Sequence, residues 1–90
     1  MAKETINIKV AGRSNVKGVA GSITKSLEDN KDVELTAIGA SATNQAIKAI
    51  AMARGFMSIK GHDLYVAPGF GNTIIDGEEV TSIKLILKLL

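Results

Sequence analysis

A two-layer α/β sandwich of order βαβαββ, a mixed four-stranded sheet with both helices on one face, is the fold class this sequence predicts. Three observations carry that reading. Apolar and polar residues alternate in "INIKVA" and "TSIKLILKLL", the period of half-buried strands. Two intervening segments, around Val16–Leu27 and Ser41–Gly55, repeat their apolar residues at helical spacing instead. The 90 residues include only Phe56, Tyr65 and Phe70 as aromatics, so the core is built from Ile, Leu, Val and Ala, which suits helices packed closely on a sheet. A chain this short supports one core, and residues 1–90 read as a single domain.

In chain order, Ile6, Ile8 and Val10 mark the buried face of a first strand that stops at Gly12. Val16, Val19, Ala20, Ile23 and Leu27 then fall on one narrow helical face, with Ser14 or Asn15 to cap the first turn. "DNKD" reads as a turn, and "VELTAIG" as a second strand bounded by Gly39. A second helix follows with Ser41 as N-cap and Gly55 as its left-handed terminator. "DLYVA" is a third strand closed by Pro68 and Gly69. "GFGNTIIDGEE" is a long arm or loop with Asp76-Gly77 at a turn position. The last strand places Ile83, Leu85, Leu87 and Leu89 on one face and Lys84 and Lys88 on the other. Two right-handed crossovers advancing in the same direction put both helices on one side of the sheet.

The second helix carries the most information. Projected at 100° per residue, Ala42, Ala46, Ile47, Ala49, Ile50, Ala51 and Ala53 cover roughly 200°, about twice the width of a stripe that packs on one sheet. Such a helix has two sides to bury: one against the sheet and the first helix, the other against a further subunit or a ligand. Ala46, Ala49, Ile50 and Ala53 are the candidate dimer-interface residues. Asn44, Gln45 and Lys48 fill the remaining polar stripe, and Arg54 falls near the edge of the apolar arc.

Charge and composition narrow the function classes. The net charge of +2 is small, so its distribution matters more than its sum. Acids gather at Glu28, Asp29, Asp32 and Glu34 and again at Asp76, Glu78 and Glu79. Residues 35 to 62 hold Lys48, Arg54 and Lys60 and no acid, while Arg13, Lys17 and Lys25 form a second basic group. The absence of cysteine excludes disulfides, thiolate metal sites and a cysteine nucleophile, and suits a reducing compartment. With no long apolar run and no signal-like start, the reading is a cytoplasmic chain that engages no membrane. His62 is the one histidine, and its neighbour Asp63 points elsewhere on an extended backbone, so it reads as a turn residue rather than a catalytic base. No ligand spacing for a metal exists, and no cofactor is expected. Neither "GVAG" nor "GFG" has the context of a phosphate-binding loop, and Gly18 and Gly21 read instead as close-packing positions along the first helix. "GRSN" before that helix is different: free N–H groups at a helix start, with Arg13 and Lys17, make a small anion site.

The pattern "AIGASATNQAIKAIAMARGF", with "GVAGSI" in the first helix and "IDGEEVTSIKL" before the last strand, resembles the bacterial stage V sporulation protein S family over roughly residues 5 to 88. Members of that family look like the Alba superfamily: small βαβαββ proteins that are dimeric and, in the archaeal cases, bind DNA or RNA. The resemblance implies an Alba-like domain, a homodimer or higher homo-oligomer formed through the second helix and the hairpin arms, and a connection to sporulation or septation. It also implies a loop after the first strand that turns Arg13 and Lys17 toward nucleic acid, and an arm that reaches toward the groove. This chain departs from that pattern at the arm tip, where Asp76, Glu78 and Glu79 would be repelled by phosphates. The expectation is therefore a non-enzymatic oligomer that contacts nucleic acid through Arg13, Lys17, Lys48 and Arg54, with Asn44 and Gln45 bonding phosphate or sugar. The competing expectation is a protein–protein interaction or regulatory oligomer that binds no nucleic acid.

Overall fold

The computed structural model describes residues 3–90. The elements run β1 (Thr5–Val10), α1 (Val16–Glu28), β2 (Asp32–Ala37), α2 (Ala40–Ile59), β3 (Leu64–Ile75) and β4 (Glu78–Leu89). They form an α/β sandwich in which both helices cover one face of a mixed sheet of order β1-β2-β4-β3. β1 and β2 are parallel, and β4 is antiparallel to both its neighbours. β4 fills the slot between β2 and β3, so the crossover through α2 spans two strand spacings. Two spacings are about 10 Å, one helix diameter, which leaves room for α2 to lie over the gap.

Alternation decides which strand residues face the helices. Val10, Val33, Leu35, Ala37, Leu64, Leu85 and Leu87 are buried on that side, where Ala20 and Ile23 of α1 meet the buried residues of α2. Fully burying an Ile or Leu side chain is worth about 1.5–3 kcal/mol, so this aliphatic layer supplies most of what holds the two layers together. The opposite face is polar: Asn7 Nδ2 and Lys84 Nζ both donate to Glu34 Oε1, at 2.9 and 3.1 Å. Gly71 permits that second bond, since a Cβ there would lie 2.8 Å from Lys84 Cε.

Four local expectations are corrected. Helix α2 is capped by Gly39 at φ 88°, with no side-chain cap; Ser41 lies inside the first turn. It also runs past Gly55. Its terminator is Gly61, at φ 82°, where the N–H of His62 bonds Met57 O and the N–H of Gly61 bonds Ser58 O, the two bonds of a Schellman end. Two residues past Gly55, Met57 is a buried core contact that continues the helix. Strand β3 is not closed at Pro68 and Gly69 but runs on to Ile75, because β3 is a sheet edge and a residue without an N–H is tolerated there. Finally, Gly18 and Gly21 are not at a close helix contact: both are exposed, and a Cβ at Gly21 would meet nothing within 4 Å. Of Ser14 and Asn15, the cap of α1 is Asn15, whose Oδ1 accepts from Gly18 N at 2.9 Å.

A candidate nucleic-acid interface at the start of both helices

Val10 and Ala37 are paired in register, so β1 and β2 end side by side and both helices begin at that end of the sheet. The loop between β1 and α1 is held against α2 from two directions. Gln45 Nε2 donates to Ser14 O at 2.9 Å, and Gly12 sits so close to the first turn of α2 that a Cβ there would lie 2.6 Å from Ser41 Oγ. Ser14 Oγ accepts from Ala11 N at 2.8 Å and tightens the loop itself. Arg13 and Lys17 thus stand on an anchored segment, exposed, beside the positive ends of two helices whose first turns contain no acid. Asn44 and Lys48 are exposed one turn apart on the outer face of α2.

The arrangement brings together Arg13, Lys17, Asn44, Gln45 and Lys48, but it gives Gln45 a structural task. Arg54 is elsewhere. It lies 13 residues beyond Ser41, about 20 Å along the helix, where its Nε donates to Leu64 O at 3.1 Å and its guanidinium reaches Asp63 Oδ1 at 3.5 Å and the Tyr65 ring at 5.8 Å. It ties α2 to the start of β3. Lys60, likewise, is paired with Glu28 and joins the far ends of the two helices. Neither is available to an acidic arm of another subunit without giving up its own partner.

The proposed interface residues also need correction. Ala46, Ala49 and Ala53 are 0% exposed and Ile50 is 5% exposed, all within the chain's own core. The buried residues of α2, Ala42 through Met57, span an arc of only about 100°, the width of a single packed stripe. Of the apolar residues outside it, Ile47, Ala51, Phe56 and Ile59 are exposed. Ile47 lies seven residues before Arg54, hence on the flank turned toward β3. Any contact between α2 and another subunit falls outside the buried stripe, to the flank of Ile47 or to that of Phe56 and Ile59.

Beyond the register Ala37↔Ile83, β3 and β4 continue alone as a two-stranded arm to a tight turn at Asp76 and Gly77, both at positive φ. Two such residues between strands make the hairpin turn whose twist matches the sheet. Phe70 and Ile74 are 82% and 67% exposed on the arm. The exposure of Ile74 was open to inference once the turn was placed: a two-residue turn sets Ile75 opposite Glu78 and Ile74 opposite Glu79, so neither isoleucine has an apolar partner across the hairpin, whereas Phe70 stands opposite Ile83 and is exposed nonetheless. Between the arm and the ends of β1 and β2 lies a groove of about 300 Å³, lined mainly by Val10, Ala11, Ile38 and Ala42 with Lys9 and Thr73 at its rim. Lys9 and this groove escaped the reading of the sequence, since nothing local marks where an arm will stand beside a strand end.

At the far end, Ser58, His62 and Asp63 share a shallow depression with Leu90. The Asp63 carboxylate is turned to Arg54 and accepts from Tyr65 Oη at 3.4 Å, not from His62. Among the described residues no group of His, Asp and Glu is placed to hold a metal ion, and no helix is long and apolar enough to cross a membrane.

Comparison with known proteins matches the family model of stage V sporulation protein S over residues 6–89. Among solved structures, Alba from Thermoplasma volcanium superposes with a TM-score of 0.61 at 12% identity, covering 93% of this chain and 98% of that one. At that identity the likeness concerns the fold.

Proposed function

The chain belongs to the stage V sporulation protein S family and has an Alba-like fold, and from that premise we propose that it is a non-enzymatic protein that binds DNA or RNA through phosphate contacts. The contact surface is the end where both helices begin. One observation carries the reading. Lys25, Lys31, Arg54, Lys60 and Lys84 each have a carboxylate partner, whereas Lys3, Lys9, Arg13, Lys17, Lys48 and Lys88 have none among the described residues, and of these six Lys9, Arg13, Lys17 and Lys48 lie toward the end where both helices begin, Lys3 and Lys88 toward the other. Unpaired cations on an anchored loop beside two helix starts are suited to a phosphate backbone, which needs positive charge and N–H donors but no base-specific geometry. Asn44 adds a hydrogen-bonding group next to Lys48. The three exposed aromatics, Phe56 on α2 and Tyr65 and Phe70 on β3, form no run of neighbours, which favours backbone contact over base stacking.

Self-association is part of the proposal, as a homodimer or larger homo-oligomer in the cytoplasm acting in sporulation or septation. A second reading, a regulatory oligomer that binds protein and no nucleic acid, is favoured by the exposed Phe70 and Ile74 of the arm. A duplex titration at about 50 mM salt separates the two. Arg13→Ala with Lys17→Ala weakens binding on the order of tenfold or more, while Arg54→Ala leaves affinity unchanged, because that guanidinium serves the fold. Equal losses from both changes, or no binding by the parent, would reject the phosphate-contact reading.

A further inference from the structure

The arm tip and the basic end have opposite charge, and neither is satisfied within the chain. Of the nine acids, Asp32, Asp76, Glu78 and Glu79 form no ion pair among the described residues, and the last three flank the exposed isoleucines of the tip. The groove beside the ends of β1 and β2 has the complementary make-up: an apolar lining of Val10, Ala11, Ile38 and Ala42, with Lys9 on its rim and Arg13 following Gly12 of its wall. Tip and groove lie at the same end of the molecule, so two copies can exchange tips about a two-fold axis, each giving the other what it receives.

We propose that the arm tip of one copy seats in this groove of a second copy, Ile74 or Ile75 against the apolar lining and the tip carboxylates against Lys9, Arg13 and Lys17, and that the docked tip excludes nucleic acid from the same cations. The exclusion rests on the phosphate-contact reading above; the docking does not. Burial of the isoleucines supplies attraction, and the charges supply register and partner choice. The tip thereby becomes a competitor for the polyanion, which accounts for three carboxylates on an element that would otherwise stand near phosphates. Assembly and nucleic-acid binding then oppose one another.

The test uses the full chain, sedimentation velocity and a 30-base-pair duplex. The parent associates at about 50 mM salt and dissociates at about 500 mM or on adding duplex. The variant Asp76→Asn, Glu78→Gln, Glu79→Gln changes only exposed side chains; it loses the salt-sensitive association and binds duplex on the order of tenfold more tightly. A charge-swapped pair guards against trivial loss: Glu78→Lys with Glu79→Lys, and Arg13→Glu with Lys17→Glu, each fail alone and associate when mixed. Unchanged association of the neutral-tip variant, or a mixture that stays apart, overturns the docking. Equal duplex affinity of parent and neutral-tip variant overturns the exclusion alone. No duplex binding by either protein removes the phosphate-contact reading and the exclusion with it, and the docking is then decided by the charge-swapped pair.

Discussion

Gly21 and Gly55 sit in helix interiors, exposed, with no atom within 4 Å of where a Cβ would project. Neither has a positive φ, so neither needs to be glycine for the fold of the single chain. Gly21→Ala and Gly55→Ala are each expected to stabilise by about 0.5–1 kcal/mol, read from urea unfolding, because alanine reduces the freedom of the unfolded chain at no steric cost. Destabilisation by either would mean a contact the protomer does not contain. Glu34 makes a second residue-level case. The bond from Lys84, then that from Asn7, holds its carboxyl below the ordinary value of 4.5. A group lowered on folding contributes stability that is complete above its unfolded pKa and is lost as pH falls through its folded one. Glu34→Gln should therefore cost less than about 1 kcal/mol at pH 7, as suits a partly exposed pair, and cost nothing near pH 2. A penalty equal at both pH values would assign the loss to shape rather than charge. Lys31, raised by its bond to Glu4 and by that charge, has the opposite sign: its contribution is present below its ordinary 10.5 and fades as pH rises through the higher folded value.

At the scale of elements, the strands with plain alternation and the narrow stripe of α1 were legible in the sequence, because each has one buried face and the period reports it. Helix α2 was legible as a helix and misread at its ends and in its width. Small residues continue around its surface, so the pattern could not say that Ala51 faces solvent while Ala49 is in the core. Gly55 and Gly61 offer the same local signal; only the buried Met57 between them, a tertiary fact, chooses the second. The arm was obscured by Pro68, Gly69 and Gly71, which look like breakers, and was ordered instead by twelve registered pairs with β4. The candidate site was legible where charge and loop coincide, at Arg13 and Lys17, and illegible where it depends on distance: the bond of Gln45 to Ser14, the removal of Arg54, and the groove at Lys9. Relocating the open face of α2 makes a prediction. Ile47→Asp combined with Phe70→Asp should remove any association through the face of α2, leaving only the salt-sensitive association of the arm tip and the helical circular dichroism intact, since both side chains are already wet in the protomer. A salt-insensitive oligomer that survives the pair would place that subunit contact elsewhere.

For the whole molecule, the charge distribution decides the proposed function: Lys9, Arg13, Lys17 and Lys48 lie untied toward the end where both helices start, three untied acids lie at the tip of the arm, and most other cations, Lys3 and Lys88 apart, are tied to carboxylates. The central claim is that Arg13, Lys17 and Lys48 neutralise phosphates. The most direct measurement is the slope of log affinity against log salt concentration for a duplex, in the parent and in Arg13→Ala with Lys17→Ala. Three contacts on B-form DNA give a slope of about −2.7 for each bound protomer, and loss of two contacts reduces it to about −0.9. A parent whose binding ignores salt, or a variant that keeps the parent's slope, would contradict the claim.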